Sequence, residues 1–121
     1  MVFLKSRALC LTLAMAFIIL FFSLLPSEEE KKILISDKFF HFVAYGLLVL
    51  PVSLERVYSQ LLIFVFAMSY GGFIELIQPF WGREADMVDF WANIVGIIFG
   101  ILIAQGIVFV LRFIRIKSIR N

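Results

Sequence analysis

The 121-residue chain holds one cysteine, one histidine and three prolines, and only 17% of its residues are charged. Each scarcity excludes something. With Cys10 as the only thiol, an intramolecular disulfide and a cysteine-rich zinc site are both ruled out, and Cys10 reads as a small apolar residue within a helix. The stretch Arg7-Ala8-Leu9-Cys10 lacks the small residues of a lipoprotein cleavage site. With His41 as the only imidazole, a metal is not expected, because three protein ligands are the usual minimum. No Gly-rich phosphate loop, CxxC pair, GxSxG elbow or internal repeat occurs. Nothing in the composition calls for a cofactor.

What the chain does contain is apolar length. Hydrophobic residues make up 63% of it, with 15 phenylalanines, against about 45–50% apolar residues in a soluble domain. About 20 apolar residues cross a hydrocarbon core of about 30 Å. Four such runs fit, over 8–25, 37–54, 60–79 and 87–111. The expected fold is all-α, a polytopic bundle of four transmembrane helices within one membrane domain over 1–121. The first run outlasts the h-region of a secretory signal and ends in Phe22-Ser23-Leu24-Leu25-Pro26 without a small-x-small site, so it reads as a retained span. Pro26 ends it, Pro51 falls near one end of the second run, and Pro79 stops the third.

Basic residues set the orientation. An even number of spans puts both termini on one side, together with Lys5, Arg7, Arg56, Arg112, Arg115, Lys117 and Arg120 against the single acid Glu55. Lys and Arg near helix ends are retained in the cytoplasm. Both termini are therefore expected to be cytoplasmic, with 26–36 and 80–86 facing out. The run Glu28-Glu29-Glu30-Lys31-Lys32 reads as a solvated loop or short interfacial helix. The basic tail serves as a topology signal that also favours anionic lipid, so nucleic acid is not an expected partner.

The polar residues inside these runs crowd toward the outer ends. Asp37, Lys38, His41 and Tyr45 open the second run, Glu75 and Gln78 close the third, and Asp86, Asp89 and Asn93 open the fourth. At about 100° per residue, Asp37, His41 and Tyr45 share one face of a helix. Asp86, Asp89, Asn93, Gly96 and Gly100 share another, and Gly96 with Gly100 forms a small-xxx-small pair that admits a neighbouring backbone. Glu75 and Gln78 lie on one face of the third helix, with Gly71 a turn deeper. An ionisable group costs about 2.5–3.5 kcal/mol in mid-membrane on insertion scales. Burying the three stripes against one another avoids that cost.

Each residue has a plain alternative to a functional role. Asp37 and Asp89 stand near helix N-termini, where they suit capping. His41 suits either hydrogen-bonded packing or proton handling. Glu75, flanked by Ile74 and Leu76, must be protonated or paired with Arg83, Lys38 or a protonated His41. Arg83 has the planar fork that grips carboxylate or phosphate, and Lys38 adds a second cation. Tyr70, Trp81 and Trp91 fit an interfacial aromatic belt.

The pattern Asp37-Lys38-x-x-His41-x-x-x-Tyr45, then Glu75-x-x-Gln78, then Arg83-x-x-Asp86-x-x-Asp89-x-x-Ala92-Asn93-x-x-Gly96 resembles the VanZ-like family of small bacterial membrane proteins. The resemblance covers about 37–100 in order and spacing. It implies a multi-pass protein of the bacterial cell membrane, linked through the family's founding member to low-level teicoplanin resistance. It implies a phenotype without a reaction.

Three classes of function remain open. In the first, the outer cluster binds an anionic group: a lipid-linked cell-wall precursor, a phospholipid head or a lipid-anchored glycopeptide. Lys38 and Arg83 would then bind, Asp37, Glu75 and Asp89 would orient them, and an acid and a base so close together would also permit hydrolysis or transfer. In the second, the polar groups only hold a helix bundle together or dock a partner helix. In the third, a transporter, they would form part of a path, but polar residues thin out toward the basic end, leaving Thr12 and Gln105.

Overall fold

The computed structural model describes residues 2–26, 37–55 and 58–120, with side chains from residue 7 onward. The run Glu28 to Lys32, Ser27, Arg56 and the Lys5 side chain lie outside the described residues. Four α-helices follow in order: α1 (Val2–Leu24), α2 (Asp37–Glu55), α3 (Gln60–Ile77) and α4 (Met87–Arg120), with a 3-10 turn over Gln78–Trp81 between the last two. Each helix is long and apolar enough to cross a membrane. Large side chains such as Phe17, Leu61 and Leu76 stay more than 70% exposed on the bundle's outside. That outer surface suits lipid and would be untenable in water.

Helix ends follow local chemistry. Ser59 caps α3, its hydroxyl accepting the Leu62 N–H at 3.2 Å. Asp86 does the same for α4, accepting the Val88 N–H at 2.8 Å, while its carbonyl accepts the N–H groups of Asp89 and Phe90. Pro79 cannot continue α3, so the chain tightens into the 3-10 turn and leaves it at Gly82, whose φ of 73° is the left-handed conformation glycine tolerates. Pro51 lies inside α2, which runs on to Glu55.

Two boundaries differ from the sequence expectation. The first helix begins at Val2 rather than 8, and α4 continues past 111 to Arg120. Hydropathy locates where hydrocarbon ends, whereas a helix ends where its hydrogen bonds do. At 34 residues α4 is about 50 Å long against a hydrocarbon core of about 30 Å. Its last turns carry Arg112, Arg115, Lys117 and Arg120 beyond the apolar span.

Contacts along the helices fix their directions. Lys38 meets Asp86, His41 meets Asn93, and the Gln105 amide reaches the Ser53 carbonyl, so α2 and α4 run parallel. Tyr70 donates to the Ala16 carbonyl and Gln78 to that of Ser23, so α1 and α3 run parallel as well. This is the up-down-up-down order of four successive spans, with Val2 and Arg120 at one end and the polar residues at the other. The core lies between, built from Ala8, Tyr45, Leu48, Val49, Val52, Ile63, Ala67 and Ile97.

The α2–α4 seam is backbone against backbone. A Cβ on Gly96 would lie 2.9 Å from the Phe42 carbonyl carbon, and one on Gly100 would lie 2.9 Å from the Gly46 Cα. Both are inside van der Waals contact, so only glycine permits this approach. In lipid, where hydrophobic burial gives no net drive between helices, such close packing is a main source of cohesion. It also sets the register that brings polar residues of α2 beside those of α4.

Candidate functional site

The polar end of the seam holds a continuous network. Lys38 lies 3.3 Å from Asp86 and 3.6 Å from Asp89 at the rim. One turn deeper, His41 Nε2 stands 3.6 Å from Asp89 Oδ2, while Nδ1 is 2.9 Å from Asn93 Oδ1. Glu75 enters from α3, its Oε2 accepting the Asp86 N–H at 3.1 Å. One ligand atom from each of His41, Glu75 and Asp89 lies within 4.8 Å of the others. Deeper still, Tyr45 and Asn93 meet over Gly71, where a Cβ would come within 3.1 Å of both side chains. Gly71 thus opens α3 to receive the buried ends of the α2 and α4 stripes.

Burial rises quickly along this line. Glu75 is 7% exposed, and Asn93 and Tyr45 are each 1% exposed. Three buried polar atoms here, Tyr45 Oη, Glu75 Oε1 and Asn93 Nδ2, have no hydrogen-bond partner among the described residues, and Asp89 Oδ1 has only the Lys38 ammonium at 3.6 Å. Each such atom in an apolar setting costs about 1–3 kcal/mol. Evolution seldom leaves several together unless something else satisfies them.

Two carboxylates, Asp86 and Asp89, share the Lys38 ammonium. At the rim, the Val88 N–H holds the Asp86 carboxyl below its ordinary pKa, and Lys38 reinforces the shift.

Other residues singled out in the sequence lie elsewhere. Asp37 is exposed in the first turn of α2 and makes no hydrogen bond or ion pair among the described residues. Arg83 does not pair with Glu75; it reaches the Ser23 carbonyl at 3.4 Å, beside the Gln78 amide at 3.2 Å. Gln78 thereby ties α3 to α1 and stands outside the His41–Asn93 network. Helix capping at α4 falls to Asp86, which frees Asp89 to face His41. The sequence reading missed the Ser23 carbonyl and Gly46, the partner of Gly100. A main-chain acceptor carries no side-chain signal, though Gly46 lies one residue past Tyr45 on a run already marked as polar.

The fold and this site define a multi-pass membrane protein whose buried polar cluster gathers at one end of its helix bundle. The VanZ/LLP1 family model matches residues 5–111, and the chain belongs to that family. Neither curated proteins nor solved structures gave a match.

Proposed function

We propose that the protein resides in the bacterial cytoplasmic membrane with both termini inside, and that its outer polar cluster binds the headgroup of a lipid-linked anionic molecule. Candidates are a cell-wall precursor, a phospholipid head or a lipid-anchored glycopeptide such as teicoplanin, with altered tolerance of that drug as the consequence. The observation that carries this reading is that two buried donors on neighbouring helices, Tyr45 Oη and Asn93 Nδ2, have no hydrogen-bond partner among the described residues, and an anionic headgroup would accept from both. Lys38 and Arg83 supply positive charge near the rim. Arg83's reach to the Ser23 carbonyl at 3.4 Å is long, so its fork can turn to a phosphate or carboxylate.

The opposite half of the bundle favours binding over transport. Between α1, α2 and α3 lies an apolar groove of about 420 Å³ lined by Leu9, Leu13, Leu48, Val52, Phe66 and their neighbours. It carries no ionisable side chain except the tyrosines, so the polar network has no charged continuation there.

Native mass spectrometry of the detergent-purified protein, titrated with an anionic phospholipid and with a lipid-linked cell-wall precursor, tests the reading. Wild type retains one of these ligands, and Lys38→Ala and Arg83→Lys lose retention while melting like wild type. Equal retention by wild type and both variants would leave the cluster a structural lock.

A further inference from the structure

We propose that His41, Glu75 and Asp89 form a binding site for one divalent first-row transition-metal ion, with zinc the best match. The sequence spoke against a metal because it has one histidine. The fold supplies two further donors, a carboxylate from α3 and another from α4, and they converge on the imidazole.

The geometry supports this at each ligand. An ion bonded at about 2.0–2.2 Å spaces its tetrahedral ligands about 3.3–3.6 Å apart. His41 Nε2 and Asp89 Oδ2 already stand at 3.6 Å, and the Glu75 donor lies within 4.8 Å of both. The Glu75 donor closes the set by moving toward the other two.

The surrounding groups fit as well. A ligating histidine characteristically donates its other N–H to a carbonyl or carboxylate, which fixes the tautomer. Here Nδ1 stands 2.9 Å from Asn93 Oδ1, an acceptor that suits the tautomer with its proton on Nδ1, and a metal would then take the Nε2 lone pair beside Asp89. Glu75 is oriented by the Asp86 N–H on Oε2, while Oε1 is buried and has no hydrogen-bond partner among the described residues; Asp89 Oδ1 faces the Lys38 ammonium at 3.6 Å, which leaves Oδ2 for the ion.

A proton alone satisfies less. An imidazolium at 3.6 Å is too far from Asp89 for a good hydrogen bond, and Glu75 Oε1 would stay unmet. A divalent ion is bound by all three residues, and its charge matches the two carboxylates. Mixed nitrogen and oxygen donors favour zinc over magnesium or calcium, which prefer all-oxygen sites. Three protein ligands also leave a coordination position open to water or to an anionic headgroup.

The test is metal titration of the untagged full-length protein, chelator-stripped and delipidated in detergent. Its outcome is thus separate from that of the lipid-binding test. Zinc is followed by competition with a fluorescent chelator and by elemental analysis, and cobalt by its visible absorption. Wild type takes up one equivalent, and the cobalt form shows bands of four- or five-coordination. His41→Ala, Glu75→Gln and Asp89→Asn each weaken zinc by more than about 100-fold, and Asn93→Ala by about 10–100-fold, as removal of an outer-shell partner does. The exposed Glu84→Gln leaves affinity unchanged. Circular dichroism and gel-filtration profiles establish that each variant is folded, and the two isosteric changes preserve side-chain shape if His41→Ala does not fold. Failure of the folded wild type to bind zinc, or stoichiometric binding that survives all three ligand changes, overturns the site.

Discussion

Replacing Gly96 with alanine tests the idea that the polar cluster is positioned by the α2–α4 seam. The added Cβ would lie 2.9 Å from the Phe42 carbonyl carbon and 3.0 Å from its Cα, where carbon atoms prefer about 3.5–4.0 Å. The helices must part by roughly 1 Å, because the obstacle is backbone and cannot turn aside. Overpacking of this kind costs about 1–3 kcal/mol. The separation also stretches the His41–Asn93 contact of 2.9 Å, and interhelical hydrogen bonds in membranes are worth about 0.6 kcal/mol on average and up to about 1.7. Together the loss is about 2–5 kcal/mol, to be read from reversible unfolding in mixed micelles. Gly106→Ala is the control, since a Cβ there meets nothing within 4 Å. Gly96→Ala should be strongly destabilised and Gly106→Ala should match wild type. If both variants unfold with wild type, the close seam is not what holds α2 against α4.

Other outcomes follow from single contacts. Glu75→Gln and Arg83→Lys should combine additively in stability, within about 0.5 kcal/mol in a double-mutant cycle, because the two side chains do not pair; a large coupling would mean that they do. Tyr70→Phe removes the bond to the Ala16 carbonyl and should cost about 0.5–1.5 kcal/mol in the same unfolding assay. Asp86 has a lowered pKa in the fold, so its contribution is full above the ordinary carboxylate range and is lost as pH falls through the depressed value. Asp86→Asn should flatten that acid limb, which a pH series of melting curves would reveal. Reporter fusions at 30 or 83 should read outside and those after 56 or 121 inside; a cytoplasmic signal at 83 would overturn the orientation.

Much of the architecture was readable because lipid imposes a simple rule: long apolar runs become helices, and polar residues within them must face one another. The stripes at His41–Tyr45, Glu75 and Asp89–Asn93 obey it, and the structure brings those side chains together. Gly96 and Gly100 were visible as a close-packing motif, but periodicity on one helix cannot say which neighbour fills it. Pairings between elements were less legible. Arg83 is near Glu75 in sequence and opposite in charge, yet the 3-10 turn that Pro79 forces carries it toward α1 and the Ser23 carbonyl. Asp86 and Asp89 are the same residue type three positions apart, and only the true start of α4 shows that one caps while the other faces His41. The donor triad was hidden for a similar reason, because its three members come from three helices.

Tyr45→Phe tests most directly whether the unpartnered polar atoms exist for a ligand. The change removes a buried hydroxyl that has no partner among the described residues and leaves the ring in place. Stability and ligand retention are to be measured on the same preparation, by melting in detergent and by native mass spectrometry. The account predicts an unchanged or raised melting temperature, since an unsatisfied buried hydroxyl costs about 1–3 kcal/mol, together with weaker retention of the anionic lipid-linked ligand. A lowered melting temperature with unaltered ligand retention would contradict it and make the cluster a scaffold.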